Sequence, residues 1–177
     1  MKLVILDRDG VINFDSAEFI KSPDEWMPIP GSLEAIAQLN QDGYHAVIAT
    51  NQSGIGRGLF EIAALNAIHE KMHKALAQVG GRVDAVFFCP HAQEADCSCR
   101  KPRPGLLTDI AHRFNTELTD VPCVGDALRD LEAAAAVGAR PLLVLTGKGK
   151  KTAAAGGLPP GTQTFADLAA AVKSIVQ

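Results

Sequence analysis

Hydrophobic positions along the chain change periodicity repeatedly, which divides it into alternating strand-like and helix-like blocks. Short apolar runs predict strands at residues 3–6, 44–49, 83–88, 121–125 and 141–145. Apolar residues spaced three or four apart predict helices at residues 32–43, 62–79, 104–114, 128–137 and 165–176. This order predicts a three-layer, Rossmann-like α/β fold whose sheet is mainly parallel.

Residues that favour helix ends set some of these boundaries. Ser32 is a plausible N-cap for the first helix, and Gly43 can end it. Pro104 suits the first turn of the third helix. The Gly-, Lys- and Pro-rich stretch 146–163 carries no predicted element. No repeat or interdomain linker interrupts the order, so residues 1–177 are predicted to form a single domain.

Composition and charge narrow the classes of function. The formal net charge of −3 gives no electrostatic basis for a nucleic-acid partner. No run approaches the roughly 20 apolar residues of a membrane-spanning helix, and the N-terminus enters a strand-like run rather than a signal peptide. We therefore expect a cytoplasmic protein that acts on small molecules and has no membrane partner.

Polar residues cluster where the predicted strands end. Asp7 and Asp9 follow the first strand and Thr50 the second, Lys101 lies in the loop after the third, and Asp126 follows the fourth. Active sites of parallel α/β sheets lie at the carboxyl ends of the strands. These side chains are therefore predicted to converge on one edge of the sheet.

The converging residue types fit phosphoryl transfer. The carboxylates of Asp7, Asp9 and Asp126 form an oxygen-rich set suited to Mg²⁺, which offsets the repulsion between a carboxylate and an anionic phosphate. Asp7 is the predicted nucleophile, and Asp9 the predicted acid and base. Thr50 and Lys101 supply a hydrogen-bond donor and a positive charge to the phosphoryl oxygens.

A glycine-rich repeat at Gly54, Gly56 and Gly58 differs from a dinucleotide-binding fingerprint. Its spacing is G-x-G-x-G rather than G-x-G-x-x-G, and no acidic residue lies at a strand end about 20 residues further on. The repeat therefore does not predict a dinucleotide cofactor.

The loop after the third strand concentrates soft metal ligands. They follow the pattern C-x-H-x5-C-x-C, at Cys89, His91, Cys97 and Cys99. Residues two apart in an extended chain point to the same side, so the two pairs can close around one ion. Three thiolates and an imidazole form the closed tetrahedral shell of structural zinc. We predict that this zinc loop, residues 89–100, binds Zn²⁺ and orders Arg100 and Lys101.

Four motifs occur in the order found in phosphatases of the haloacid dehalogenase (HAD) family: DRDGVIN, TNQSGIGRG, CRKPRPG and GDALRD, between residues 5 and 130. The chain resembles this family, and the resemblance implies Asp7 as nucleophile and Asp9 as acid and base. It implies Mg²⁺ held by Asp7, the backbone carbonyl of Asp9, and Asp126. The substrate pocket that it implies includes Asn51, Gln52, Ser53, Arg100 and Lys101.

The spacing of the motifs leaves no room for a cap domain over the site. Segment 11–32 is too short to fold separately, so the site is predicted to be open and the protein a monomer. Asp15 begins a segment, 15–26, that should touch the substrate. Arg57 and Arg100, and also Arg103, are candidates for binding a second anionic group, because the planar guanidinium binds phosphate bidentately.

Within the family, the resemblance is to enzymes whose substrate is a small-molecule sugar bisphosphate. It implies removal of the 7-phosphate of a heptose 1,7-bisphosphate, in heptose supply for bacterial lipopolysaccharide. Histidinol-phosphate phosphatases share DRDG and the zinc loop and stay open as an alternative, although RGLF and the PG after RKPR favour the heptose enzymes. DNA 3′-phosphatases share the core, but the acidic balance argues against them. A non-enzymatic zinc scaffold would not need the predicted catalytic residues together.

Overall fold

The structure, a computed structural model that describes residues 1–177, contains a six-stranded sheet in which all neighbouring strands are parallel. The strands are β1 (Lys2–Leu6), β2 (Tyr44–Asn51), β3 (Ala85–Cys89), β4 (Pro122–Gly125), β5 (Arg140–Val144) and β6 (Gln163–Phe165). Their order across the sheet is β3-β2-β1-β4-β5-β6. Residues that follow β1 and β4 therefore lie side by side near the middle of the carboxyl edge.

Helices cover both faces of this sheet. They are α1 (Ser32–Gln41), α2 (Ser53–Gly56), α3 (Ile62–Gln78), α4 (Gly105–Phe114), α5 (Leu128–Ala136), α6 (Gly149–Ala155) and α7 (Leu168–Val176), with 3₁₀ turns at Pro23–Glu25 and Gln93–Ala95. One core cluster joins the sheet to α1, α3 and α7, and the other joins it to α4 and α5. The predicted three-layer α/β fold is confirmed.

Alternate residues of β1 contribute to opposite cores. Val4 and Leu6 belong to the cluster beneath α1, α3 and α7, whereas Leu3 and Ile5 belong to the cluster beneath α4 and α5. Side chains of a strand alternate between faces, and both faces are covered here. An interior strand of this kind must be apolar throughout, which explains the unbroken run LVIL.

Ser32 does not have the N-cap position predicted for it. It is the first residue of α1 and follows Gly31, which adopts a left-handed conformation with φ of +87°. The Ser32 hydroxyl instead donates to the backbone carbonyl of Val11 at 2.9 Å. It therefore ties the segment after β1 to the start of α1.

The stretch 146–163 contains α6 and leads directly into β6, and neither element was predicted. The α6 sequence GKKTAAA buries only Gly149, so it lacks an apolar periodicity. β6 is three residues long, too short for an alternating pattern. The last helix begins at Leu168 rather than at residue 165, because the Asp167 carboxylate accepts the N–H of Ala170 at 2.8 Å and caps it.

The segment between β1 and α1 lies against the core and is not a separate cap. It buries Ile12, Ile20 and Trp26 in the cluster beneath α1 and α3. The prediction of a site without a folded cap agrees with this packing. No helix in the structure combines the length and the apolar character needed to cross a bilayer.

Candidate active site

Asp7 lies directly after β1 and is almost completely buried, with 7% of its surface exposed. Its Oδ1 accepts the backbone N–H of Arg8 at 2.8 Å and lies 3.2 Å from Lys101 Nζ. Burial raises the pKa of Asp7 to about 8, and the nearby Asp130 carboxylate adds to the rise against the opposing charge of Lys101. Burial and the neighbouring acid thus disfavour the ionised form of Asp7, and a cation beside it would favour that form.

Lys101 is the cation at the centre of the site. Its Nζ lies 2.7 Å from Asp130 Oδ1 and donates to the backbone carbonyl of Ala49 at 2.8 Å, in addition to its contact with Asp7. Burial favours the neutral amine, but the carboxylates of Asp130 and Asp7 outweigh it and raise the pKa of Lys101. The side chain therefore carries a fixed positive charge beside the predicted nucleophile.

Three buried carboxylates lie together around this lysine. The carboxylate oxygens of Asp7, Asp126 and Asp130 lie within 4.8 Å of one another. Burial, together with the charge of Asp130, raises the pKa of Asp126 to about 7. Carboxylates that burial destabilises in their ionised form, with only one neighbouring amine, fit a divalent cation with oxygen ligands.

The Asp9 carboxylate does not join this acidic group, contrary to the expectation from the sequence that its side chain would complete it. Its Oδ1 accepts from Arg8 Nε at 2.9 Å and from Arg8 Nη2 at 2.7 Å. Burial opposes ionisation, but the Arg8 charge and the hydrogen bond from Asn13 outweigh it and lower the pKa of Asp9. The Asp9 side chain thus lines the cavity while it is held by Arg8, Asn13 and Gln52.

The residues at the end of β2 make hydrogen bonds both to Asp9 and to the loop that carries Lys101. The Gln52 side-chain amide donates to Thr50 Oγ1 at 3.0 Å and to Asp9 Oδ2 at 3.1 Å. The side chain of Asn51 exchanges hydrogen bonds with the backbone of Lys101, at 3.0 Å and 3.1 Å. Ser53 is buried at the start of α2. The end of β2 therefore positions the loop that carries Lys101.

A cavity of about 210 Å³ opens above these residues. Of the residues predicted for the magnesium and substrate sites, Lys101 and Arg103 do not line it. The others do: they are Asp7, Asp9, Asp15, Thr50, Asn51, Gln52, Ser53, Arg57, Arg100 and Asp126. Ser16, Ala17 and Phe19, from the segment 15–26 that was predicted to touch the substrate, also line it. Arg129 and Lys148, which were not predicted, complete the lining. The lining combines buried acids at its base with cationic side chains around it.

The unpredicted segment 146–155 holds Asp126 in place. The backbone N–H of Lys148 donates to Asp126 Oδ2 at 2.8 Å, and the Thr152 hydroxyl donates to the Asp126 carbonyl at 2.7 Å. Gly10 and Gly147 both have positive φ, and a Cβ at either position would collide with Asp126 Oδ2. These glycines permit the close backbone approach that encloses the carboxylate.

The predicted zinc residues Cys89, His91, Cys97 and Cys99 converge on one point. The Cys89 sulfur lies 3.4 Å from His91 Nδ1 and 3.5 Å from the Cys97 sulfur, and His91 Nδ1 lies 3.3 Å from the Cys99 sulfur. Burial opposes ionisation of Cys97, but the Arg100 backbone N–H and neighbouring thiols outweigh it and lower the pKa to about 6. One closed set of three thiols and an imidazole nitrogen fits a tetrahedral metal.

Arg103 braces this loop and does not line the substrate cavity. Its Nη1 donates to the Cys97 carbonyl at 2.6 Å, and its Nη2 pairs with Asp96 at 2.7 Å. Arg103 is therefore absent from the cavity above Asp7, and its role as a binder of a second anionic group stays a prediction. Its position four residues after Cys99 directs it back onto the cysteine loop.

Comparison with known proteins identifies the family. Residues 98–171 match the HAD-hydrolase-like family model. A D-glycero-β-D-manno-heptose-1,7-bisphosphate 7-phosphatase from Bordetella bronchiseptica is 60% identical over 177 residues, covering 100% of this chain and 99% of the relative. The enzyme of that name from Pseudomonas aeruginosa is 49% identical over 175 residues, covering 99% and 98%. The chain belongs to this family of heptose bisphosphate phosphatases.

Solved structures agree with the assignment of the chain to this family of phosphatases. The D,D-heptose 1,7-bisphosphate phosphatase from B. bronchiseptica, complexed with magnesium and phosphate, matches with a TM-score of 0.99 at 60% identity, covering 100% of this chain and 99% of that one. The Burkholderia thailandensis enzyme matches with a TM-score of 0.81 at 57% identity, over 100% and 99% of the two chains. The HAD fold predicted from the four motifs is confirmed.

Sequence reasoning missed Asp130 and Arg129 in the phosphatase site. Asp130 Oδ2 accepts the backbone N–H groups of Asp126 and Ala127, at 3.2 Å and 3.0 Å, while its Oδ1 pairs with Lys101. The second acid of GDALRD is the third residue of α5, where its carboxylate can reach back to the N–H groups that precede the helix. Arg129 faces the cavity from the adjacent position.

Proposed function

We propose that this phosphatase removes the 7-phosphate of D-glycero-β-D-manno-heptose 1,7-bisphosphate in a Mg²⁺-dependent reaction. The observation that carries the proposal is the buried Asp7 carboxylate, paired with Lys101 at the base of a cavity whose rim is cationic. The names and the 60% and 49% identities of the two relatives support this substrate and the β anomer.

Asp7 is proposed to act as the nucleophile. One of its carboxylate oxygens attacks the phosphorus of the 7-phosphate, a bond forms from Asp7 to phosphorus, and the bond from phosphorus to the sugar oxygen breaks. Asp9 donates a proton to that departing oxygen. Asp9 then takes a proton from water, which attacks the acyl phosphate and releases inorganic phosphate and the Asp7 carboxylate.

Buried donors are proposed to hold the transferred phosphoryl group. Lys101 keeps its positive charge, and its Nζ lies 3.2 Å from the attacking carboxylate, so it can contact a phosphoryl oxygen as the new bond forms. The Thr50 hydroxyl accepts a hydrogen bond from Gln52 and donates only a long one, of 3.5 Å, to the Asn51 carbonyl, so its proton can turn toward the phosphoryl group. Both groups are fixed in advance and need little reorganisation.

We propose that Mg²⁺ is held by the Asp7 carboxylate, the Asp9 backbone carbonyl and the Asp126 carboxylate. The close packing of Gly10, Gly147 and the Lys148 N–H around Asp126 supports this assignment, because it fixes the carboxylate beside Asp7. When bound, the ion offsets the negative charge that the nucleophile and the phosphate bring together.

The non-transferred phosphate is proposed to bind the cationic side of the cavity. Arg57 and Arg100 line it together with Arg129, and Arg100 Nη1 and Arg129 Nε are buried atoms without a hydrogen-bond partner. Asp15, which lies 3.7 Å from Lys148, is proposed to bind sugar hydroxyls. Unsatisfied buried guanidinium N–H groups favour a ligand with several acceptor oxygens.

The cysteine loop is proposed to bind a structural zinc ion. Its four ligands form a closed set and leave no position for substrate. The loop leads straight into Arg100 and Lys101, so its order supports the position of both. We also propose that the protein is a single-domain monomer in the cytoplasm and that it serves heptose synthesis for lipopolysaccharide. The proposed reaction depends on neither the oligomeric state nor the pathway.

The test is phosphate release, with Mg²⁺, from both anomers of the heptose bisphosphate and from histidinol phosphate. Preference for the β anomer with loss of only the 7-phosphate is expected, and Asp7→Asn should abolish turnover. Preference for histidinol phosphate would move the enzyme to that class while keeping the chemistry. Failure on all three substrates, with native folding and bound metals, would contradict the proposal.

A further inference from the structure

Arg8, the residue between the two aspartates of the first motif, is completely buried. Its relative exposure is 0%, although it follows β1 at the polar edge of the sheet. Burying a guanidinium is costly unless its N–H groups are paired. The direction of this side chain is therefore fixed by its partners, one of which is the Asp9 carboxylate that lines the site.

The first partner is the Asp9 carboxylate. Arg8 Nε and Nη2 both donate to Asp9 Oδ1, and Asn13 Nδ2 donates to the same oxygen at 3.0 Å. Oδ2 has a single side-chain partner, the Gln52 amide. A carboxylate oxygen has two lone pairs, so Oδ1 with three donors has none left for a proton. A proton on Asp9 must therefore reside on Oδ2.

The second partner is His69 of α3, on the far side of the guanidinium. Arg8 Nη1 donates to His69 Nε2 at 3.1 Å, and 8% of His69 is exposed. Burial and the Arg8 charge lower the pKa of His69 to about 4, so the ring is neutral and its nitrogen can accept. His69 thus holds the guanidinium in the plane from which it reaches Asp9.

We propose that Arg8 and His69 are positioning residues, which fix the Asp9 carboxylate so that Oδ2 delivers the proton to the departing sugar oxygen. The proposal rests on the proposed function, since that assigns Asp9 as acid and base. Arg8 binds one edge of the carboxylate and prevents its rotation, and His69 prevents the guanidinium from turning away. A general acid placed in this way acts without a prior search for its orientation.

The test compares substrates that differ in their need for an acid. An alkyl leaving group, as in the heptose bisphosphate, needs a proton when its bond to phosphorus breaks, whereas 4-nitrophenolate leaves without one. The ratio kcat/KM covers only the steps up to phosphorylation of Asp7, so the later hydrolysis does not affect it. Arg8→Lys keeps the charge but loses the planar guanidinium, whose two nitrogens donate together to Asp9. His69→Gln alters only the contact on the far side of Arg8. His73→Gln, on the exposed part of the same helix, is the matched control.

We expect Arg8→Lys to lower kcat/KM for the alkyl substrate at least about tenfold more than for 4-nitrophenyl phosphate, within the usual range for general acid catalysis. His69→Gln should show a smaller difference of the same sign, and His73→Gln none. Equal losses on both substrates, or no loss in either variant, would overturn the proposal, because a purely structural role lowers both ratios together.

A double mutant keeps the test decisive if Arg8→Lys fails to fold. In an Asp9→Asn background, His69→Gln should have no further effect on the alkyl substrate, because the group it positions is gone. Additive losses would overturn the positioning role. Asp9→Asn alone distinguishes failure of the proposed function from failure of the positioning role. If this variant keeps its kcat/KM for the alkyl substrate, Asp9 is not the acid, and the positioning roles of Arg8 and His69 are refuted as well.

Discussion

Replacing Lys101 with methionine should destabilise the protein strongly, because the lysine is the one amine that contacts two buried carboxylates. Its side chain is 4% exposed and lies 2.7 Å from Asp130 and 3.2 Å from Asp7. At an effective dielectric constant of about 20, the shorter pair corresponds to about 6 kcal/mol of Coulomb attraction. Desolvation of the charges offsets much of this attraction, and removing one partner of a buried pair typically costs about 3–5 kcal/mol.

Such a loss should lower the melting temperature by about 6–20 °C for a chain of this size. The assay is thermal unfolding of metal-depleted wild type and Lys101→Met, followed by circular dichroism. Lys148→Met is the matched control, because the Lys148 side chain is 52% exposed and its Nζ lies 3.7 Å from Asp15 Oδ2. Its effect should stay within about 1 kcal/mol.

Adding Asp130→Asn to Lys101→Met should recover part of the lost stability. The second substitution removes one of the uncompensated charges, and the asparagine oxygen can still accept the N–H groups of Asp126 and Ala127. A Lys101→Met variant that melts within 2–3 °C of wild type, or a double mutant that is less stable than either single mutant, would refute the electrostatic reasoning.

Further predictions concern the zinc loop, the glycine beside Asp126, and His69. Cys97→Ser should lower kcat/KM while leaving the Mg²⁺ concentration for half-maximal activity unchanged; normal turnover without bound zinc would contradict the structural role. Gly147→Ala should raise that Mg²⁺ concentration, because the new methyl group collides with Asp126; Gly161→Ala, also at positive φ but in open space, controls for backbone strain. The pKa of His69 falls from 6.5 to about 4 on folding, so the unfolded chain binds the extra proton between these values. Stability should therefore fall, by up to about 3 kcal/mol, as the pH drops through this window, and urea titrations of His69→Gln should show a shallower decline; an unchanged slope would argue against a buried neutral ring.

The positions of Asp7, Thr50 and Asp126 were predictable because they depend on topology. A parallel sheet places all strand ends on one edge, and each of these residues follows an apolar run directly. The cysteine loop was predictable for a similar reason, since residue spacing alone brings its pairs together. Neither inference requires knowledge of side-chain packing.

Other features depend on packing that periodicity does not encode. Arg8 between two aspartates could point to solvent, and its burial depends on partners that include His69, which lies far away in the sequence on α3. The contact between Asp130 and Lys101 depends on which side of α5 faces the lysine. The α6 helix buries one glycine, so its contribution to the site, which runs through backbone groups and Thr152, leaves no apolar pattern in the sequence.

The most direct test of the central claim is detection of phosphate bound covalently to Asp7. The enzyme would be mixed with Mg²⁺ and the β-anomer bisphosphate labelled at the 7-phosphate, quenched in acid within milliseconds, and digested for peptide mapping. The account predicts transient label on the peptide that contains Asp7, and neither label nor turnover in Asp7→Asn. Undiminished turnover by Asp7→Asn would contradict it.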